Sequence, residues 1–418
     1  MSSSTSSLSV RNCLIIGILC AAVAPAAVAV KETVLHRFAG KPDGGWIYSG
    51  LIFDSFGNLY GTTNGGGAYG WGSVFELSPN KDGTWTDKIL YSFMGGEDGW
   101  EIESKLVLDN SGNLYGTTFW GGNASCDNGN GCGLVFELTP NPDGTWSKTT
   151  IHEFNGADGA GPGAGLIFDS AGNLYGTAAD YGFYGKGEVF ELTPLEGGTW
   201  QETVLYSFSG GKDGAGPEAH LLFDVLGNLY GTTTIGGGPC DCGTVFRLVP
   251  KSGEWNFALL HSFTGGKDGG RPAAYTGLAL DNLGRLFGAT VAGGLNECGT
   301  GCGVVYMLAP TEKGPWKETV LHRFQEDKES HPNGDLVFDP VGNLYGTTQN
   351  NSFYDYGSVF RLSPRPDGGV GYTVVFHFNG TNGLQPFAGP IFDSAGNLYG
   401  TTFGGGSQQG GLVYELSP

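Results

Sequence analysis

The segment Gly57-Asn58-Leu59-Tyr60-Gly61 occurs six times intact, starting at Gly57, Gly112, Gly172, Gly227, Gly342 and Gly396, and once as the degenerate Gly284-Arg285-Leu286-Phe287-Gly288. The copies are 55, 60, 55, 57, 58 and 54 residues apart. Working outward from the first copy, Leu51-Ile52-Phe53 reads as a strand a, Asn58 to Thr63 as b, Ser73 to Leu77 as c and Trp85 to Phe93 as d. Val, Phe, Tyr and Trp fill these runs, and Gly, Pro, Asn and Asp punctuate them. The turn Asp54-Ser55-Phe56-Gly57 joins a to b, the Asp bonding its own turn and the Gly supplying positive φ. Ser78-Pro79 ends strand c, and Lys81-Asp82-Gly83-Thr84 turns into d. No segment after the first 29 residues has a helical period. Seven all-β copies at this period predict a seven-bladed β-propeller of four-stranded blades rather than a helical solenoid.

The ends of the chain strengthen this reading. Strand d appears first, as Thr33-Val34-Leu35-His36-Arg37-Phe38, before any strand a. The last a, b and c run out at Leu416-Ser417-Pro418 with no d behind them. The chain is one strand out of phase with its own repeat, so the N-terminal strand is expected to pair with the C-terminal three and close the ring, which removes an exposed seam. Neither end carries an atypical polar cap, as a linear array would require. No composition break divides residues 30–418, which are read as one domain.

Residues 1–29 read as a signal peptide, with Arg11 as the positive region, Cys13 to Val23 as the apolar core and Ala27-Val28-Ala29 as the cleavage site. The apolar run is too short to span a bilayer. Leu19 stands before Cys20 where a lipoprotein signal would want a small residue. A secreted or periplasmic protein without a membrane span is expected, and a monomer. The whole chain carries a formal charge of −20. Such a field repels nucleic acid and anionic lipid, and it keeps a Gly-rich surface soluble.

Six cysteines follow residue 29, as the pairs Cys126 and Cys132, Cys240 and Cys242, and Cys298 and Cys302. In an oxidising compartment this pattern points to disulfides. The pairs lie in three different repeats, which argues against a shared zinc site. One residue separates Cys240 from Cys242, so a bridge there is strained and the pair is open to being reduced.

The a-to-b and c-to-d turns are short and uniform. The b-to-c and d-to-a loops on the opposite face are long, Gly-rich and different in every copy, which makes them, with the mouth of the central channel, the place for a ligand. Residues that recur at one position in most or all copies read as structural. These are the turn aspartates from Asp54 to Asp393, the strand-d series His36, His152, His261, His322 and His377, and the tryptophans that open strand d. The irregular residues are more informative. Trp46, Trp71, Trp100 and Trp120 all fall in loops of the first two blades, and Tyr181, Phe183 and Tyr184 follow in the third. Aromatic faces can stack on sugars or apolar partner groups, and Glu97, Asp98, Glu101 and Glu103 nearby can bond hydroxyls. The competing reading is that these rings pack only their own loops. A non-catalytic binding or scaffold propeller for polysaccharide or protein is therefore expected. The alternative is a carbohydrate-active hydrolase or lyase using the loop carboxylates. No nucleophile elbow, zinc-protease helix or phosphate loop is present. The turns Gly210 to Gly214 and Gly265 to Gly269 offer too few oxygens for more than weak calcium binding, so no cofactor or metal is expected.

Gly-Asn-Leu-Tyr-Gly-Thr-Thr, then Gly-x-Val-Phe-x-Leu, then Thr-Val-Leu-His-x-Phe together resemble the GloVer tandem repeat of bacterial extracellular proteins, from about Lys31 to Pro418. The resemblance implies a propeller and an extracellular setting, and no particular activity. Members of that family often end in a surface-sorting or anchoring segment, and an end on strand c argues against that route. The Asp-x-x-Gly-Asn-Leu-Tyr hairpin is also similar to that of NHL and gluconolactonase-type propellers, although no lactonase metal or catalytic set can be placed here. The Asp-Gly-Thr-Trp turns at Asp82 and Asp143 are only weakly similar to sialidase Asp boxes.

Overall fold

Asp54 shows why each copy turns where it does. Its Oδ1 accepts from the Phe56 and Asn58 amides, both at 2.9 Å, and its Oδ2 from Asn58 Nδ2 and the Tyr60 hydroxyl. The same cage recurs at Asp109, Asp169, Asp224 and Asp393. In the degenerate copy Arg285 replaces the asparagine and bonds Asp281 through its guanidinium. The repeated motif is thus a self-contained hairpin, set by Asx-turn chemistry.

A computed structural model describes residues 30–418 except 275, 296–299, 313, 326–327 and 351–355. The described strands form seven antiparallel sheets, one per copy, arranged as a seven-bladed propeller. Blade 1 comprises strand a Ile52–Phe53, b Leu59–Thr63, c Ser73–Pro79 and d Trp85–Ser92. Strand a is only two residues long, and strand c runs on through Pro79, which pairs with Trp85 across the hairpin. Blade 7 holds Ile391–Phe392, Leu398–Thr402 and Leu412–Ser417, and its fourth strand is Lys31–Arg37 from the other end of the chain. Register runs from Lys31 opposite Ser417 to Arg37 opposite Leu412.

Every c–d pair skips one strand-d residue. Leu90 is passed over between Ile89 and Tyr91, and Leu35 in the N-terminal strand is passed over at the same point, between Val34 and His36. The closing strand therefore carries the bulge of a true strand d, and bulges of this kind fix register.

The core consists of apolar layers between neighbouring blades. The second glycine of each motif admits the strand-c aromatic: a Cβ on Gly61 would stand 2.5 Å from Phe75 Cζ. The first threonine after it ties blades together. Thr62 Oγ1 donates to Ser104 O, Thr117 Oγ1 to Ala164 O and Thr401 Oγ1 to Ser49 O, at 2.9–3.1 Å. The strand-d tryptophans pack on the motif tyrosine of the preceding blade, as Trp85 does on Tyr399 and Trp200 on Tyr115.

The strand-d histidines lie at the outer rim. His36 faces Asp43 at 3.2 Å, His152 faces Asp158 at 3.4 Å, and His322 stacks on Tyr372 at 3.9 Å between centroids. His377 does not share their slot. Phe376 pairs with Val359 as Tyr91 does with Val74, and His377 lies one residue further on. Cys126 is bonded to Cys132, with Cα atoms 5.6 Å apart. Cys240 is bonded to Cys242, with Cα atoms 5.2 Å apart. Cys298, and with it the expected pairing to Cys302, lies outside the described residues, as do residues 1–29 with the signal-peptide reading. No helix among the described residues is long and apolar enough to cross a membrane, and the two helical turns, Gly96–Asp98 and Asp127–Gly129, are short 3₁₀ pieces.

Candidate functional site

The variable loops share a backbone plan that their sequences hide. In every blade the d-to-a loop pairs with the b-to-c side at an equivalent point: Gly45 with Gly65, Trp100 with Trp120, Ala160 with Asp180, Ala215 with Ile235, Gly270 with Ala292, Ser330 with Asn350 and Leu384 with Gly404, and in blades 5 and 6 the pairing continues at Pro272 with Thr290 and Pro332 with Thr348. The next residue in each d-to-a loop has positive φ, and in five blades it is not glycine: Trp46, Glu101, Arg271, His331 and Gln385, at 51–58°. This position is clamped between blades. Trp46 N donates to Gly410 O of blade 7, and Trp46 O accepts from Asn64 N of its own blade. Gln385 is held in the same way between Tyr356 and Phe403. Left-handed backbone on bulky residues costs energy, and such positions cluster at sites of function.

Three of the loop tryptophans come together. Trp71 meets Trp100 edge-on at 5.7 Å between ring centroids, Trp100 stacks with Trp120 at 6.0 Å, and Trp120 abuts Phe119 at 4.9 Å. The Trp100–Trp120 bridge aligns two of the rings, and positive-φ Gly95 lets the Trp71 ring lie against the chain. The outcome is one aromatic strip across the top of blades 1 and 2, with Trp71 46 % exposed.

Trp46 stands apart, its ring over Gly65, beside a hollow of about 300 Å³ formed with Lys41, Gln408 and Gln409. Tyr181 donates to Asp127 Oδ1 at 2.8 Å, which ties the third blade to the second. Exposed Phe183 and Tyr184 pair with each other at 4.7 Å. Among the described residues no ring contact joins Trp46, Tyr181 or Tyr184 to the strip.

The carboxylates divide in the same manner. Asp98 is fully engaged, accepting from the Tyr91 hydroxyl, the Met94 amide and Lys148 Nζ at 2.8–2.9 Å. Glu101 accepts from the Trp120 side chain, and burial outweighs that bond and raises its pKa above the ordinary carboxylate value. Glu103 accepts from Asn64 Nδ2 at 3.1 Å. Burial, then the charges of Glu103 and Glu101, push up the neighbouring Tyr48 phenol. Tyr48 in turn packs on Phe387 and Phe403 of blade 7 at about 5 Å. The acids of the two Gly-Gly-Lys-Asp-Gly turns are occupied by their own loops: Asp213 accepts from Ser209 and Tyr206, and Asp268 from Thr264. His36, Asp43 and Asp87 bring ligand-type atoms within 4.8 Å of one another at the rim of blades 7 and 1, where His36 and Asp43 already face each other.

The channel holds a group that reading the loops overlooks. Two residues ahead of strand a, blades 1, 3, 5 and 7 have Gly50, Gly165, Gly277 and Gly389, whereas blades 2, 4 and 6 have Lys105, His220 and Asp335. Asp335 Oδ2 lies 3.6 Å from Lys105 Nζ and 3.8 Å from His220 Nε2. Three blades thus send ionisable side chains to one point in the channel. The glycines make room for them: a Cβ on Gly165 would stand 2.9 Å from His220 Nδ1.

Solved structures resemble this chain in fold alone. A candidate 6-phosphogluconolactonase of Bacteroides uniformis is 14 % identical, covering 77 % of this chain and 83 % of its own, with a TM-score of 0.50. The extracellular domain of a candidate one-component system protein of B. thetaiotaomicron is 12 % identical over 93 % of this chain, with a TM-score of 0.54. PorZ, a surface component of the type-IX secretion system of Porphyromonas gingivalis, is 16 % identical over 91 %, with a TM-score of 0.50. This chain spans 42 % and 47 % of the length of the last two. No curated protein sequence matches it. The model of the Gloeobacter/Verrucomicrobia repeat matches residues 122–339, more than half of the chain, and its linked motifs extend through the blades on either side. The chain belongs to the Gloeobacter/Verrucomicrobia repeat family.

Proposed function

We propose that this protein is an exported, non-catalytic propeller that binds polysaccharide on its loop face, with the Trp71–Trp100–Trp120 strip as the platform. The observation that carries this reading is the strip itself, three indoles in contact on two blades and partly open to solvent. Sugar rings present apolar C–H faces that stack on indoles. Glu101, bonded to Trp120, and Glu103, bonded to Asn64, supply acceptors for hydroxyls. The positive-φ ring of Trp46, Glu101, Arg271, His331 and Gln385 presents further side chains, and at Trp46, Arg271, His331 and Gln385 the backbone amide is bonded to the neighbouring blade, which favours preorganised recognition. A signal peptide at residues 1–29 would direct the domain out of the cytoplasm and then be removed, into a setting where its disulfides persist.

A glycan array and affinity electrophoresis with soluble polysaccharides test the reading. Trp71→Ala and Trp100→Ala are expected to weaken binding by about tenfold each, the loss of one well-made aromatic contact with its buried area. Unchanged binding in both variants, or no polysaccharide bound by the native protein, contradicts it. Cleavage of a bound polysaccharide that disappears in Glu101→Gln would replace the binding reading with an enzymatic one.

A further inference from the structure

We infer that the Lys105–His220–Asp335 group is a second binding site, for a neutral polyhydroxylated molecule of monosaccharide size held on the propeller axis. The argument begins with symmetry. The slots of the turns and of strand b carry largely one chemistry around the ring, whereas this slot at the entry to strand a alternates glycine with a base, an imidazole and an acid. The four glycines are not idle. His220 lies over Gly165 and Gly277, and the Gly389 Cα lies against the Asp335 backbone.

Hydrogen bonding fixes the state of each member. The Gly165 amide donates to His220 Nδ1 at 2.7 Å, so that nitrogen is an acceptor and the proton of the neutral ring is on Nε2, facing Asp335. Burial and the Lys105 charge, which outweigh Asp335, keep this imidazole easier to deprotonate than usual. The Gly277 amide occupies Asp335 Oδ1 at 2.5 Å, leaving Oδ2 to face the channel. Burial opposes the charge on Asp335, but His220, Lys105 and that amide together hold its pKa below the ordinary value.

The separations of 3.6 and 3.8 Å are longer than direct N–H···O bonds. Two donors and one acceptor therefore converge without closing short direct bonds, and all three border the channel cavity. A hydroxyl group accepts two hydrogen bonds and donates one, which is the complement of Lys105 Nζ, His220 Nε2–H and Asp335 Oδ2. The charges of Lys105 and Asp335 cancel, which disfavours an ionic ligand. From this point a cavity of about 550 Å³ runs along the a strands, walled by residues such as Leu106, Leu166, Leu221 and Leu336. Convergent polar groups at one end of an apolar cavity of this size are typical of small-molecule sites. With Nδ1 bonded to an amide and Nε2 protonated, His220 is poorly placed to act as a base, so the geometry favours holding a ligand over proton transfer.

The test uses the full mature chain and the His Cε1–H resonances, with that of His220 among the seven histidines assigned through His220→Gln. D-glucose, D-galactose, D-mannose, D-ribose and myo-inositol are titrated separately, with inorganic phosphate as the anionic probe. The expected result is a saturable shift of the His220 resonance with at least one neutral probe. That affinity should fall by about tenfold or more in Lys105→Met and in Asp335→Asn, the loss of a hydrogen bond to a charged group. If Asp335→Asn fails to fold, Lys105→Met alone decides. No saturable shift with any neutral probe overturns the inference, as does binding that survives the substitutions, or a response to phosphate only.

Discussion

Glu202 and Glu318 occupy the strand-d slot that reaches back to the preceding blade's histidine, beside His152 with Asp158 and His261 with Asp268. Burial above all, with neighbouring acids adding to it, pushes both carboxyls up to about 7. The folded state then keeps their protons up to about pH 7, while the unfolded chain releases them near the ordinary value of 4.5. In that window the folded form binds more protons, so this contribution to stability falls as pH rises through it and stays lost above. Glu202→Gln and Glu318→Gln should therefore raise the melting temperature at pH 8 and leave it nearly unchanged at pH 4. Thermal melts at the two pH values check this, and a larger gain at pH 4 would contradict it. At this scale the sequence was readable wherever a residue repeats. The turn aspartates were identified because seven copies state the same Asx chemistry. Lys105, His220 and Asp335 escaped notice because they lie 115 residues apart and only the ring brings them together. The signal was present in the one slot where glycine alternates with ionisable residues, and it needed the copies to be aligned by slot. Sequence spacing groups His377 with the strand-d histidines and pairing separates it from them, because a one-residue offset in a short strand shows only in the pairing partner.

Strands and loops were legible to different degrees. In blade 1 the b, c and d strands match their sequence-based bounds to within a residue or two, because b is buried throughout, c over most of its length and d on alternate residues, and Gly, Pro, Asn and Asp bound the runs. Strand a shrinks to a pair of residues, Ile52–Phe53 in blade 1, and Leu51 before it is buried in the layer between blades. The loops were read as irregular because their side chains differ, yet all seven make the same backbone bridge, and backbone pairing is indifferent to side chains. The aromatic cluster was anticipated as one patch over three blades, and the rings in contact are those of blades 1 and 2. Tyr181 is taken up by Asp127, and Asp98 by Lys148. Between blades, the Thr117 hydroxyl donates to Ala164 O at 3.1 Å in a buried setting. Thr117→Val keeps the shape and leaves that carbonyl without its partner, so it should cost about 1–2 kcal/mol in urea unfolding. A change below a few tenths would show that the interblade bond contributes little.

For the molecule as a whole, closure is what turns seven sheets into one body. Each blade buries its apolar faces only against its neighbours. Without Lys31–Arg37, the strand Leu412–Ser417 becomes an open edge, and Phe38, fully buried, leaves the layer between blades 7 and 1. This was legible from the out-of-phase ends of the chain alone, since only pairing them completes the seventh sheet. The most direct test compares thermal and urea unfolding of residues 30–418 with residues 39–418. The shorter chain should lose its cooperative transition or melt far lower, and a synthetic peptide of residues 30–38 added in trans should restore part of the loss. An unchanged melting temperature in the shorter chain would contradict ring closure by the N-terminal strand.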